Sequence, residues 1–289
     1  FFLSGPECAH THTHSGPERN GCALSLCSLF MTSACCPVGS LPYLAATHTA
    51  TGRVVDLGAV ELYANTSAIS STNGILICPD VWGWNGGRVR AIADGLSEQG
   101  YKVAVGKFLA PALDGGTDGD ALPPDGDFSM DWIKQFPWET QRPKVEAALG
   151  FLKAEGCSKI GVLGFCYGGH PACWASTVEP SVVCGVVLHP SMQLEGFAFG
   201  GDTAALLKSV RCPFLLAPAG NDLPMWSACG EFGEALKASA KGADCVFKEF
   251  PDMSHGWSCR GDLADEKVRR DVEAVMKDAI GFFAKYVLA

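Results

Sequence analysis

The sequence has no apolar run approaching the roughly 18 residues that a membrane-spanning helix needs, so no membrane segment is expected. It is also short of positive charge. Its 22 Lys and Arg stand against 31 Asp and Glu, a net charge of −9. An acidic surface gains nothing from a phosphate backbone or an anionic bilayer, which argues against general nucleic-acid or membrane-surface binding. The chain holds 14 cysteines, yet no two are spaced C-x-x-C and none clusters with histidine at zinc-finger spacing. Metal and dithiol redox chemistry are therefore not expected, and no internal repeat is visible. Thiols scattered in this way read as reduced core filler of a cytoplasmic protein.

What is present suits one domain. A chain of 289 residues that is 47% hydrophobic can bury the core of an α/β domain of about 240 residues and still carry an extension. Residues 1–50 form that extension, with no strand-period run, a His10, His12, His14 alternation that reads as polar tail, and cysteines at Cys8, Cys22, Cys27, Cys35 and Cys36. Met31 is the first methionine and M-T-S-A-C-C-P-V-G-S-L-P reads as a protein start, which marks residues 1–30 as a candidate leader or targeting piece. Residues 23–31 are apolar enough for a signal core, but no basic cluster precedes them.

From residue 51 the punctuation is regular. V-V-D-L-G and A-V-E-L-Y-A predict a hairpin about Gly58, and G-I-L-I-C (74–78) predicts a central strand. A helix is expected from Gly86–Gly87 to Gln99, a strand over 102–105, a short helix over 132–138 and a helix over 142–155. The Asp-, Gly- and Pro-rich stretch 114–127 lacks the final glutamate of a calcium loop and reads as a solvated excursion. Further strands are expected at 160–163, 182–188, 214–218 and 246–250, with helices at 203–209, 229–240 and 266–287. Strands separated by helices mean a mostly parallel sheet covered on both faces.

The segment K-I-G-V-L-G-F-C-Y-G-G-H-P-A-C-W-A-S (159–176) organises the rest. A buried strand, G-x-C-x-G and a helix-capable stretch follow one another in the order of the α/β-hydrolase nucleophile elbow, with cysteine for serine. Gly164 and Gly168 leave room for the sharp turn, and the following helix points its positive end at Cys166, which favours thiolate. The plain alternative is a buried structural cysteine. A thiol nucleophile needs a base and an acid behind that base, from loops after later strands. Asp222, in P-A-G-N-D-L-P, and His255, in P-D-M-S-H-G-W, each follow a predicted strand in the required order. Asp244 and Asp252 lie too close to His255, or before its strand.

The motifs I-L-I-C-P-D-V-W-G-W-N, G-F-C-Y-G-G, Asn221-Asp222 and S-H-G-W-S-C-R-G together resemble the dienelactone hydrolase (carboxymethylenebutenolidase) family, its eukaryotic branch in particular, from about Gly52 onward. The resemblance implies an α/β-hydrolase fold and a Cys166, His255, Asp222 triad that opens a lactone or ester through an acyl-thioester. It places the oxyanion hole at the backbone amides of Tyr167 and Val81. Asp80 stands where bacterial relatives hold a thiol-activating glutamate, one methylene shorter, and either activates the thiol or orders the oxyanion loop. Arg260 would pair with a substrate carboxylate, with Trp82, Trp84 and Trp257 lining the pocket. Arg142 is the nearest candidate for a second substrate arginine. The implied reaction needs no cofactor or metal, its partner is a small and in some cases anionic lactone or ester, and the chain is expected to be a monomer or weak homodimer. Two other readings stand beside it. One is a small-molecule binding protein with little turnover, and the other is thiol redox work by Cys166, which the lack of a C-x-x-C partner weakens.

Overall fold

Residues 35–66, 70–116, 121–123 and 130–288 are described in a computed structural model of the chain. The His-Thr alternation, the candidate leader and most of the Asp-rich stretch 114–127 lie outside them. Alternation along the central strands explains the layers. In β3 (Asn73–Cys78), Ile75 and Ile77 face one side of the sheet and Leu76 and Cys78 the other. The same split puts Ile160 and Val162 opposite Leu163 and Phe165 in β5 (Lys159–Phe165). Each face must then be covered by helices.

The sheet has eight strands in the order β1-β2-β4-β3-β5-β6-β7-β8. β1 (Arg53–Asp56) and β2 (Glu61–Asn65) form the expected antiparallel hairpin, and β2 joins β4 (Lys102–Gly106) antiparallel. From β4 onward every pairing is parallel, through β3, β5, β6 (Val182–Leu188), β7 (Phe214–Ala217) and β8 (Val246–Phe247). Helix α1 (Val89–Glu98) covers one face; α2 (Met130–Ile133) sits over the strand ends, and α3 (Trp138–Ala154) and α4 (Gly169–Val178) cover the other face. After α5 (Leu194–Phe197), helices α6 (Thr203–Ser209) and α7 (Glu231–Lys237) extend that second layer. α8 (Trp257–Arg260) leads into α9 (Glu266–Tyr286), which lies beside α1. This is the α/β-hydrolase fold. Among the described residues no helix is long and apolar enough to cross a membrane.

Three boundaries differ from expectation. The short helix ends at Ile133, and extended Pro137 caps a long helix that already begins at Trp138. The helix expected over 229–240 is confined to α7. β8 is two residues long, Val246–Phe247, where a strand over 246–250 is expected. Pairing beyond it continues only as single contacts, such as the Ala219–Phe250 bridge.

Residues 35–50 are no loose appendage where they are described. Their far end is tied by Asp94, buried in α1, which accepts from His48 Nε2 at 2.7 Å, the Thr51 amide at 2.9 Å, the Tyr63 hydroxyl at 2.5 Å and Asn65 Nδ2 at 2.8 Å. Burial pushes this carboxyl up, but the donors outweigh it and hold it down at about 2. The near end crosses the carboxyl edge of the sheet. There the Leu41 amide donates to the His255 carbonyl at 2.9 Å, the Gly87 amide to the Leu44 carbonyl at 2.8 Å, and Asn221 Nδ2 to the Val38 carbonyl at 3.0 Å.

The elbow packs backbone on backbone. A Cβ on Gly168 would stand 1.9 Å from the Cys78 carbonyl oxygen, and one on Gly164 2.6 Å from the Gly169 Cα. Gly168→Ala is therefore expected to lower the urea midpoint by the equivalent of about 1–3 kcal/mol, since the clash is with main chain. Gly95→Ala, inside α1 with no atom within 4 Å of the new methyl, is the matched control. It should hold or raise the midpoint, by up to about 1 kcal/mol.

Candidate active site

β5 delivers Cys166 into a single 3₁₀ turn, Cys166–Gly168, ahead of α4. Its φ of +51° is a left-handed value that a non-glycine residue adopts only where the surroundings impose it. Here the turn between two crowded glycines imposes it, and the thiol is turned away from the strand direction. β7 delivers Asp222 and the loop after β8 delivers His255. Asp222 Oδ1 lies 2.5 Å from His255 Nδ1, while its Oδ2 accepts from the Ala219 amide at 2.7 Å. Asn221 Oδ1 accepts the His255 amide at 2.6 Å, so the Gly-Asn-Asp turn grips both backbone and ring of the histidine. Burial pulls His255 down, but the Asp222 carboxylate outweighs it and lifts the imidazole to about 10.

Cys166 itself does not face His255 directly. Its Sγ lies 3.5 Å from Cys35 Sγ, 3.9 Å from Cys36 Sγ and 3.4 Å from Ser191 Oγ, and Ser191 donates on to the Cys35 carbonyl. Cys36 acts on both Cys166 and His255. Burial first, and then the two neighbouring thiols, hold Cys166 well above the ordinary thiol range. Hydrogen bonds from Cys166 and Cys35 pull Cys36 well below it, with His255 adding to the effect. The helix dipole expected to make Cys166 a thiolate is thus outweighed. Desolvation acts at full strength on a buried sulfur.

Val81 and Tyr167 are fully buried and share one apolar cluster with Cys35, Cys166 and Leu194 over the strand ends. Asp80 orders this region. Its Oδ1 accepts the Trp82 amide at 2.9 Å and its Oδ2 pairs with Arg260 Nη1, both side chains being almost fully buried. Arg260 also donates from Nε to the Leu41 carbonyl at 3.2 Å, and burial pulls its guanidinium down to about 10. The arginine expected to grip a substrate carboxylate is therefore committed to Asp80, because an unpaired guanidinium cannot be kept in so dry a place. Trp257 is likewise not a pocket residue. It is fully buried in the layer beneath, 4.6 Å from the Phe250 ring. Trp84 packs in the same layer under the Arg90 guanidinium. Trp82 stays at the rim, half-buried, between Tyr43 and Arg260. Arg142 is exposed and pairs with Glu146 at 2.7 Å on α3, far from a ligand-binding role.

The sequence reasoning missed Cys35, Cys36, Ser191 and His189. His189, at φ +41°, packs edge-on against His255 at 4.9 Å and binds Ser258 Oγ at 2.8 Å; burial keeps it neutral. The adjacent Cys35-Cys36 pair was the one signal in the sequence for this group, and it sat in a stretch that reads as extension.

The chain is similar to known proteins in sequence and in fold. The model of the dienelactone hydrolase family matches residues 60–287. A carboxymethylenebutenolidase homolog of Rattus norvegicus is 28% identical over 141 residues, 48% of this chain, and the match spans only 55% of that protein's length. Hydrolase tropI of Talaromyces stipitatus is 25% identical over 79% of this chain and 87% of its own. Among solved structures, the Pyrococcus furiosus esterase Pf2001 superposes with a TM-score of 0.55 at 15% identity, covering 86% of this chain and 99% of that one. With the family pattern spanning β2 to α9 and a cysteine elbow backed by Asp222 and His255, this chain belongs to the dienelactone hydrolase family.

Proposed function

We propose that the chain hydrolyses small lactones or esters with Cys166 as nucleophile, His255 as proton shuttle and Asp222 as the acid that orients it. The observation that carries this reading is the 2.5 Å Asp222–His255 contact beside an elbow cysteine at φ +51°. In the reaction, with His255 in its neutral form, the Cys166 thiol proton passes to His255 Nε2 as sulfur bonds to the carbonyl carbon. The oxyanion is met by the amides of Val81 and Tyr167. Collapse expels the alkoxide, which takes the proton from His255, and leaves an acyl-thioester. Water, deprotonated by the same nitrogen, then releases the acid and restores the thiol. For the proton to pass directly, Cys36 must withdraw from between the two side chains.

Asp80 acts on this reaction through the loop, holding Val81 and Trp82 in place by way of Arg260. Arg260 is engaged through Nη1 and Nε, and only its Nη2 lacks a hydrogen-bond partner among the described residues. The other reading, a binding protein with little turnover, is favoured by one observation: Cys166 faces two thiols and Ser191 instead of His255.

A panel of p-nitrophenyl esters and lactones separates the two. Wild type should turn over members of the panel, and Cys166→Ala should abolish turnover while folding normally. Ligand binding without turnover by wild type, or full activity in Cys166→Ala, refutes the proposal. Asp222→Asn should lower kcat by about 10³–10⁴-fold. The Asp80–Arg260 pair should show in stability. Asp80→Ala is expected to cost about 3–5 kcal/mol by stranding a buried cation, and Asp80→Ala/Arg260→Met less than the single change. A double variant no better than Asp80→Ala would refute that role for the pair.

His255 also makes stability depend on pH. Its folded value of about 10 lies above the roughly 6.5 of an unfolded histidine. Its contribution is therefore fully present below about pH 6.5 and is lost as pH rises through about 10. The gap in urea midpoint between wild type and His255→Gln should accordingly shrink from about pH 6 to about pH 10. A gap that widens over this range contradicts the assignment.

A further inference from the structure

The three thiols are arranged as a ligand set. Sγ of Cys35 and Cys36 lie 3.5 and 3.9 Å from Sγ of Cys166, and all three sulfurs fall within 4.8 Å of one another. Thiolates held ~2.3 Å from one zinc ion stand about 3.8 Å apart around a tetrahedron. Three core thiols packed only for volume have no reason to converge in this way.

A candidate fourth ligand lies outside that 4.8 Å group. His255 is fully buried, its Nδ1 is taken by Asp222, and its ring also interacts with Cys36, one of the three thiols. A carboxylate on the far ring nitrogen is what metal-bound histidines use to fix the tautomer and raise the basicity of the ligating nitrogen. The cluster contains no carboxylate, so its donors are soft sulfur and imidazole, which select Zn(II) or Cu(I) over Mg(II) or Ca(II).

We propose that Cys35, Cys36, Cys166 and His255 bind one thiophilic metal ion, Zn(II) or Cu(I), and that the bound ion silences the hydrolase. Binding converts three thiols to thiolates, releases their protons to solvent, and uses His255 as neutral imidazole. It occupies the sulfur lone pair that would attack substrate and the nitrogen that would accept its proton. The strap places the first two ligands. Ser191 holds the Cys35 carbonyl, and the Leu41 and Val38 contacts fix the backbone that follows. Cys35, Cys166 and His255 are buried while Cys36 is partly exposed, so the ion enters from the Cys36 side. Only the silencing half rests on the reading of Cys166 as nucleophile.

The test is a Co(II) titration of the reduced, chelator-stripped full chain. A thiolate-to-cobalt charge-transfer band should appear in the near ultraviolet, saturate at one equivalent and be displaced by Zn(II). Cys35→Ser/Cys36→Ser should lose it. Cys36→Ser alone, the milder change should the double variant fold poorly, should weaken cobalt binding about tenfold or more, at least the loss that outer-shell substitutions bring. In the ester assay Zn(II) should inhibit wild type reversibly, and Cys36→Ser should need about tenfold or more Zn(II) for the same fractional inhibition. No band in reduced wild type, or an equal band in the double variant, overturns the metal site, whatever disulfide forms on oxidation. Saturating Zn(II) without inhibition overturns the silencing. If Cys166→Ala keeps its hydrolysis, the nucleophile reading fails while the cobalt band, which reports bonds to sulfur, still decides the metal site.

Discussion

The close approach of Gly168 to the Cys78 and Pro79 carbonyls is the constraint on which the site depends. It presses the turn after β5 against the end of β3. One backbone contact thereby sets the position of the elbow cysteine and of the loop that begins at Asp80. No side chain fits between them, and any movement of one strand end is passed to the other. The positive φ of Cys166 is held by the same contact.

Around that junction the polar groups form two pairs with separate tasks. Asp222 and His255 are joined by a charge-assisted bond at 2.5 Å, the pair to which proton transfer is assigned in the proposed reaction. Asp80 and Arg260 are joined deep in the protein and serve architecture, tying the β3 loop to α8 and to the strap of residues 35–50. Keeping the two pairs apart matters electrostatically. A carboxylate already engaged by a buried guanidinium does little to draw a proton from a neighbouring thiol, and the thiol's own burial resists ionisation.

The strap changes the character of the site. Its far end is anchored by the donors on Asp94 and its near end carries two thiols to within 4 Å of Cys166. Cys166 is thereby covered by its own chain. Access to Cys166 turns on whether residues 35 and 36 stay in place.

Much of this was legible in the residues. Strand periodicity, the glycines of G-x-C-x-G and the order of Cys166, Asp222 and His255 are local signals, because side-chain alternation, turn sterics and loop position are properties of short segments. The roles of Arg260 and Trp257 were not legible. An arginine five residues past a histidine looks the same whether it faces substrate or a buried aspartate 180 positions earlier. Likewise Cys35 and Cys36 lie in a stretch with no periodicity of its own, and what they do depends on a contact with Cys166 across 131 and 130 residues. The sequence by itself determined the layered fold, the elbow and the chain order of Cys166, Asp222 and His255. Only the tertiary structure decided what stands in front of the thiol and which charge the buried arginine answers, because those depend on distances between segments that no local pattern encodes.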